Sequence, residues 1–238
     1  VSATLDGIER YRRKRQPENW LEAAMVERGA VLTADAVLVG NNEEGRTMTD
    51  NKSNEVRATT STGKDDWCTP PAVLAALHAE FGFALDAAAS AEALPGVLWF
   101  GWHEGEFIDG LEPWAGMADL LRSRDRGLVA FLNPPYSKAA GRGKGVYAWH
   151  QRALEASRNG WTVVVLCPPH PGRKWMQEFG TKADEVRVYK RRLAFADPAT
   201  GKAVRGNTQD SCVVVYRPHV PADGWPGGPR WSWIDVPQ

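Results

Sequence analysis

From residue 67 onward the chain alternates between two hydrophobic rhythms. Apolar residues recur every three or four positions over 71–81, where Leu74, Leu77, His78 and Phe81 share one face behind Pro70 and Pro71, and over 145–158, where Val146, Trp149, Ala153 and Ala156 do the same. Both spacings predict amphipathic helices, and prolines at the start suit the first helical turn. Short apolar runs predict strands at 84–88, 97–100, 128–133, 162–167, 185–189, 193–196 and 212–216, several of them apolar enough to be buried on both faces. The last two lie close together with Asp197, Pro198 and Gly201 as a turn between them, so they are expected to pair antiparallel. The expectation is an α/β domain with a mixed, mainly parallel seven-stranded sheet flanked by helices.

Outside that alternation the pattern changes. Residues 1–40 read as a helical, basic arm, with Arg10, Arg12, Arg13, Lys14 and Arg15 followed by the amphipathic spacing of Trp20, Leu21, Ala24 and Met25. Residues 41–65 are polar with little to bury and read as a flexible linker or loop. The main domain is expected over 66–220, and 221–238 as a Pro/Trp-rich tail.

Charge is balanced, 29 basic against 29 acidic residues, so any contact with a polyanion must come from local patches. Cys68, Cys167 and Cys212 are odd in number and widely spaced, which argues against a disulfide framework or a zinc site and fits a reducing compartment. His78, His103, His150, His170 and His219 show no metal-ligand spacing and no partnered nucleophile, so no metal is expected and these are taken as structural or surface residues. No apolar run approaches the roughly 20 residues that cross a bilayer, and the amino terminus lacks a signal-peptide layout; no membrane association is expected.

The most informative motif is Asn133-Pro134-Pro135-Tyr136-Ser137, reached directly from the apolar run Leu128-Val129-Ala130-Phe131-Leu132. A buried strand there delivers a polar amide and an aromatic ring to its carboxyl end, the edge where open α/β sheets bind ligands. Consecutive prolines fix the turn and leave carbonyl oxygens free to face a ligand. An exocyclic amine such as adenine N6 carries two N–H donors; the Asn133 oxygen and a proline carbonyl can accept both while Tyr136 stacks on the ring. The bland reading is a turn after a strand. The motif alone leaves the acceptor open, because it also suits methyltransferases that act on RNA bases or glutamine side chains.

Six further blocks occur in order with that motif: Asp66-Trp67-Cys68-Thr69-Pro70-Pro71; Phe81-Gly82-Phe83 running into Leu85-Asp86-Ala87-Ala88-Ala89-Ser90; Asp109-Gly110-Leu111 before Trp114; Ala183-Asp184-Glu185-Val186-Arg187; Arg192-Leu193-Ala194-Phe195; and Ser211-Cys212-Val213-Val214-Val215. Together they make residues 66 to about 216 resemble the phage-type, Dam-like DNA N6-adenine methyltransferase family. The resemblance implies a Rossmann-like class I methyltransferase fold, S-adenosyl-L-methionine as methyl donor, a DNA acceptor whose target adenine flips out, and a phage or prophage origin in a bacterial cytoplasm. Protection from restriction is a plausible purpose within such a family. The catalytic residues are then Asn133, Pro134, Pro135 and Tyr136. Competing acceptors are RNA, cytosine N4 and protein glutamine, and a catalytically silent nucleic-acid-binding protein is the non-enzymatic alternative.

The resemblance places Trp67, Thr69 and Pro70 beside the donor and Asp86 in the first strand's acidic position. Asp86 ends an apolar strand and could face an ammonium group, or it could cap a following helix. The usual glycine-rich loop is missing, since Ala87 to Ser90 follow. Asp109 and Glu112 are candidates for ribose hydroxyls, an ordinary solvated loop being the other reading. Lys138, Arg142 and Lys144, in the glycine-rich stretch after Tyr136, suit a phosphate-gripping loop. Lys190–Arg192 and Arg173-Lys174-Trp175 are further basic clusters that read equally well as exposed faces.

Overall fold

A computed structural model describes residues 67–89, 94–103, 106–136, 145–197, 200, 202–204, 207–219, 221 and 224–237. The arm at 1–40, the linker at 41–65 and Lys138, Arg142 and Lys144 lie outside the described residues.

The chain enters through Trp67–Pro70 and starts helix α1 (Pro71–Phe81) with a proline in its first turn. The helix buries Val73, Leu74 and Leu77 and stops at Gly82, whose left-handed φ of 66° lets its N–H reach the His78 carbonyl at 2.8 Å. Strands β1 (Leu85–Asp86) and β2 (Leu98–Trp99) follow, then a small antiparallel pair, β3 (Trp102–His103) with β4 (Glu106–Phe107). Helix α2 (Ala115–Ser123) leads to β5 (Val129–Leu132), helix α3 (Val146–Arg158), β6 (Thr162–Cys167) and the short helix α4 (Lys174–Glu178). A turn of 3-10 helix (Gly180–Lys182) precedes β7 (Glu185–Tyr189), β8 (Cys212–Tyr216) and β9 (Arg230–Ile234).

The main sheet has seven strands in the order β2-β1-β5-β6-β8-β7-β9. Only β8 runs against the others, pairing antiparallel with both β6 and β7, so the sheet is mixed and mainly parallel. Its centre is built from unbroken apolar runs, Val163 to Leu166 and Val213 to Val215, all at 0 % exposure. Such runs face two layers at once. On one face Phe131, Val164, Leu166, Val213 and Val215 join Val73, Leu74 and Leu77 of α1. On the other lies α3, whose His150 is fully buried, stacks on Trp175 at 3.9 Å and meets the Tyr216 hydroxyl at 2.7 Å. Burial pulls that imidazole down to about 3, which keeps it neutral and structural.

Four expectations need correction. Residues 193–196 form no strand of the sheet: Ala196 makes isolated bridges to Cys68 and Ala203, and side-chain Asn207 takes the Leu193 carbonyl at 3.0 Å. The turn at Asp197 therefore closes 193–196 onto 202–204, not onto β8, whose antiparallel partners are β6 and β7. The seventh strand comes from the segment read as a tail, where β9 adds parallel to β7. The first two strands are also shorter than their apolar runs, because Ala87 and Ala88 turn away immediately after Asp86.

Candidate active site

Leaving β1, the chain moves outward to β2 and later returns to lay β5 against β1's other side. This reversal opens a crevice beyond the carboxyl ends of β1 and β5, the place where open α/β sheets take their ligands. Asp86 is the last residue of β1 and is in register with Phe131 of β5; Asn133 follows the end of β5. Two of the residues singled out in the sequence are thus delivered to one crevice by adjacent parallel strands.

Asp86 is 6 % exposed, and its carboxylate accepts a hydrogen bond from Ala88 N–H at 3.2 Å. Burial raises its carboxyl to about 7, the Ala88 hydrogen bond opposing that rise. The bond makes a tight turn of the Asx type, and no helix starts in described residues 87–89, so Asp86 caps none there.

Beside it the Asn133 side chain is held at both ends. Its Nδ2 donates to the Trp67 carbonyl at 3.3 Å, which aims Oδ1 the other way as an acceptor. The Tyr136 hydroxyl donates to that Oδ1 at 3.1 Å and also lies 3.4 Å from the Leu166 carbonyl. A phenol has one proton, so the two acceptors compete for it. Burial, with smaller contributions from Cys167 and Cys212, pushes the Tyr136 hydroxyl well above its ordinary range, so it stays protonated. Pro134 is buried and Pro135 half-buried. Trp67 is fixed in turn: Cys68 and Ala196 exchange backbone hydrogen bonds of 2.8 and 2.9 Å, and the Trp67 ring lies 6.2 Å from Phe195. This explains why 193–196 matters without being a strand. Thr69 is buried and Pro70 half-buried on the same entry segment.

The Asp109 loop reaches the same edge from a third direction. A Cβ on Gly110 would lie 1.8 Å from the Ala87 carbonyl oxygen, so only glycine allows the loop to close on the residue after Asp86. Asp109 is half-buried and accepts from Leu111 N–H at 2.9 Å, whereas Glu112 is exposed. Trp114 Nε1 donates to the Gly110 carbonyl at 2.8 Å, and Arg152 of α3 donates twice to the Leu111 carbonyl at 2.9 and 2.7 Å. The loop is clamped against Asp86's strand end, which the reading of it as ordinary solvated loop does not anticipate.

On the other side of Tyr136 opens a cavity of about 650 Å³, lined among others by Tyr147, His170, Arg173, Lys174 and Gln209. Its size is that of a small-ligand or base pocket. His170, taken from sequence as a structural or surface residue, lines this cavity; Arg173 and Lys174 are exposed, as one reading of that cluster expects, and also form a basic wall of the cavity. A sequence signal existed for His170: Cys167-Pro168-Pro169-His170 leaves β6 as Asn133-Pro134-Pro135-Tyr136 leaves β5. Lys174 is 3.4 Å from Glu178 and over the Tyr147 ring, while among the described residues Arg173 carries no ion pair. No group of three or more His, Cys, Asp or Glu suited to a metal occurs among the described residues, and no described helix is long and apolar enough to cross a membrane.

A mainly parallel sheet with one reversed strand, a switch-point crevice holding an acid after the first strand, and Asn-Pro-Pro-Tyr after the neighbouring strand define a Rossmann-like class I methyltransferase fold. Residues 57–225 match the family described as DNA N-6-adenine-methyltransferase (Dam), and the chain belongs to that family. A DNA N-6-adenine-methyltransferase of Escherichia phage T1 is 28 % identical over 170 residues, which cover 65 % of this chain and 63 % of the phage protein. The chain therefore spans less than two thirds of that relative's length. No solved structure matches.

Proposed function

We propose that the chain transfers a methyl group from S-adenosyl-L-methionine to adenine N6 in DNA, at a specific sequence, with the target base flipped toward Asn133-Pro134-Pro135-Tyr136. The observation that carries the reading is the Asn133 amide, oriented at the end of β5 by the Trp67 carbonyl so that Oδ1 is presented as an acceptor, used by the Tyr136 hydroxyl. The family and the phage relative support DNA adenine as the acceptor.

The donor-side residues suit a cationic, hydroxyl-bearing ligand. Asp86 is a buried carboxyl with no cation among its described partners, so an ammonium group beside it would restore its charge. Asp109, brought alongside through Gly110, offers carboxylate acceptors to ribose hydroxyls, with Trp67, Thr69 and Pro70 on the entry segment nearby. S-adenosyl-L-methionine, when bound, supplies an electrophilic methyl on a sulfonium. The protein's part is positioning. Asn133 Oδ1 and the Pro134 carbonyl accept the two N6 hydrogens and hold the nitrogen lone pair toward the methyl; as the nitrogen takes the methyl, the methyl's bond to sulfur breaks to leave a neutral thioether and one N6 proton passes to water. Oδ1 has two lone pairs, so it can take an N6 hydrogen while the Tyr136 hydroxyl still donates to it, and the Leu166 carbonyl 3.4 Å away offers that hydroxyl proton a second acceptor. The half-buried Tyr136 ring is then the stacking surface that offsets part of the cost of unstacking the base. No covalent nucleophile is needed.

Arg173, Lys174 and His170 on the cavity wall, together with Lys138, Arg142 and Lys144 of the following stretch, are proposed to hold phosphates flanking the target. Action in the cytoplasm of a bacterium carrying the phage or prophage, protecting DNA from restriction, follows from the same reading. The test is incubation with methyl-labelled S-adenosyl-L-methionine and unmethylated genomic DNA, digestion to nucleosides and chromatography. Label in N6-methyladenine, lost in Asn133→Ala, supports the reading. Label in N4-methylcytosine, in RNA or in protein glutamine, or donor binding without turnover, overturns it.

A further inference from the structure

Strand β9 lies at the end of the sheet, beyond residues 57–225 that match the family, and carries the two most exposed large hydrophobic side chains among the described residues: Trp231 at 52 % and Trp233 at 69 %. Its ladder with β7 runs through the even positions. Arg230 N–H donates to the Asp184 carbonyl at 3.0 Å, and the Ile234 carbonyl accepts from Lys190 N–H at 2.9 Å, with Ser232 in register between them. Backbone groups alternate in direction along a strand, so the N–H and C=O of Trp231 and Trp233 point away from the sheet. Among the described residues nothing pairs with them. An open edge of this kind is a template for another strand, and β9 carries no lysine, proline or bulge to blunt it. Pro229, the preceding outward position, has no N–H and so ends the donating edge there.

The outward groups are self-complementary. In Trp231-Ser232-Trp233 an antiparallel copy centred on Ser232 sets each Trp231 opposite the other copy's Trp233. The positions that face outward are those that form the hydrogen-bonded pairs of an antiparallel ladder, so two donors and two acceptors on each copy meet their counterparts. The same operation lays all four indoles on one face of the joined sheet. A two-fold axis through Ser232 satisfies every one of these groups, as an isologous contact requires.

We propose that β9 is a homodimerisation edge, at which two copies of this chain join their sheets antiparallel about Ser232. The exposed indoles contribute about 300 Å² per copy. Two copies thus bring together about 600 Å² of aromatic surface, of which the join covers only the flanks where indoles meet, far less than the roughly 1,600 Å² of a standard interface, so the dimer is reversible and concentration-dependent. This rests on strand geometry alone and is independent of the proposed reaction.

Sedimentation velocity of the full chain over roughly a hundredfold concentration range is expected to show a monomer shifting to a dimer by mass action. Trp231→Glu with Trp233→Glu in one chain sets like charges opposite each other in both pairs and should weaken dimerisation at least about tenfold. Trp231→Glu with Trp233→Lys sets opposite charges in the same pairs and should dimerise more tightly than the double glutamate. Both side chains point to solvent, so circular dichroism should show all three chains folded. A wild-type chain that stays monomeric throughout, or a dimer that the double glutamate leaves intact, overturns the proposal. If a glutamate variant fails to fold, the wild-type concentration series still decides.

Discussion

Asp86 and Glu185 are both acids sunk into the sheet, and the protein treats them in opposite ways. Around Glu185 the fold gathers its own cations: Arg187 Nε at 2.6 Å, Arg230 at 3.0 Å and Arg217 in direct contact, with Arg217 and Arg230 also bridging to Asp184. Burial pushes Glu185 up, but the hydrogen bonds and charges of Arg187 and Arg217 outweigh it and hold the carboxyl at about 2. Around Asp86 no described cation appears, and burial lifts it to about 7. A carboxylate that the fold neutralises itself ties three strands together. One that the fold buries at a strand end without a described counter-charge keeps its proton more readily, and under the proposed function it is where the donor's ammonium group would sit.

The largest expected effect separates the crevice from the scaffold. Asn133→Ala removes the Oδ1 acceptor and should lower kcat by about 10³-fold, about 4 kcal/mol of barrier, while the thermal midpoint moves little because the side chain makes only two modest hydrogen bonds. Full turnover in this variant would remove the chemical role of the β5 end. Arg217→Ala is the converse. It leaves Asp184 and Glu185 short of a cation in a nearly buried place and should cost about 2 kcal/mol of stability, Arg187 and Arg230 remaining to limit the loss. Chemical denaturation measures it, and methyl transfer per folded molecule should be unchanged. An Arg217→Ala protein as stable as the parent would mean the arginine cluster is not what distinguishes the two acids.

How legible each region was follows from what its chemistry depends on. The β5 end could be read directly, because an apolar run, a polar residue and two prolines in succession dictate strand, strand end and turn locally. The entry segment's place beside Asn133 and the closure of Gly110 on Ala87 are contacts across the fold; the resemblance put Trp67, Thr69 and Pro70 beside the donor but joined neither pair. Asp86 could be placed at a strand end from sequence, but its shifted ionisation depends on burial, which the folded chain alone decides. Strand β9 was hidden by its neighbours: Pro221, Pro226, Pro229 and three glycines made 221–238 look like a tail, although Arg-Trp-Ser-Trp-Ile alternates aromatic and polar residues as a strand does. Residues 193–196 misled in the other direction, being apolar enough for a strand while their backbone partners came from a local turn, one side chain and the distant Cys68 rather than from the main sheet. His170 needed only the strand-end rule applied a second time, to β6.

Asp86→Asn tests the ligand half of the comparison at intermediate size. Loss of the carboxylate should weaken S-adenosyl-L-methionine binding about thirtyfold, about 2 kcal/mol, measured by calorimetry, with stability unchanged or higher since a buried acid is replaced by its neutral isostere. The pH dependences should also oppose each other. Asp86 has a raised folded pKa, so between about 4 and about 7 the unfolded chain releases a proton that the folded chain keeps, and stability from this group falls as pH rises. Glu185 has a depressed one, so its contribution is present above about 4.5 and is lost as pH falls toward about 2. Thermal melts should show the first slope vanish in Asp86→Asn and the second persist. Donor affinity of the parent should weaken as pH drops below about 7, because the acid must lose its proton to meet an ammonium. A flat profile there would break the assignment of Asp86 to a cation.

The smallest effect concerns a bond that is built to exchange. The Arg217 contacts are multiple and have no competing acceptor to move to, whereas the Tyr136 proton is shared between Asn133 Oδ1 and the Leu166 carbonyl. Tyr136→Phe keeps the ring for stacking and deletes only a neutral hydrogen bond whose proton already has two acceptors to choose between. It should change kcat by no more than about fivefold, about 1 kcal/mol. Tyr136→Ala also removes the stacking face, and base–aromatic stacking is worth about 1–3 kcal/mol, so it should fall well below Tyr136→Phe. Single-turnover rates of the two variants read the difference directly. If Phe is as damaging as Ala, the hydroxyl takes part in the reaction and the Asn133–Tyr136 bond is a working contact, not a resting one.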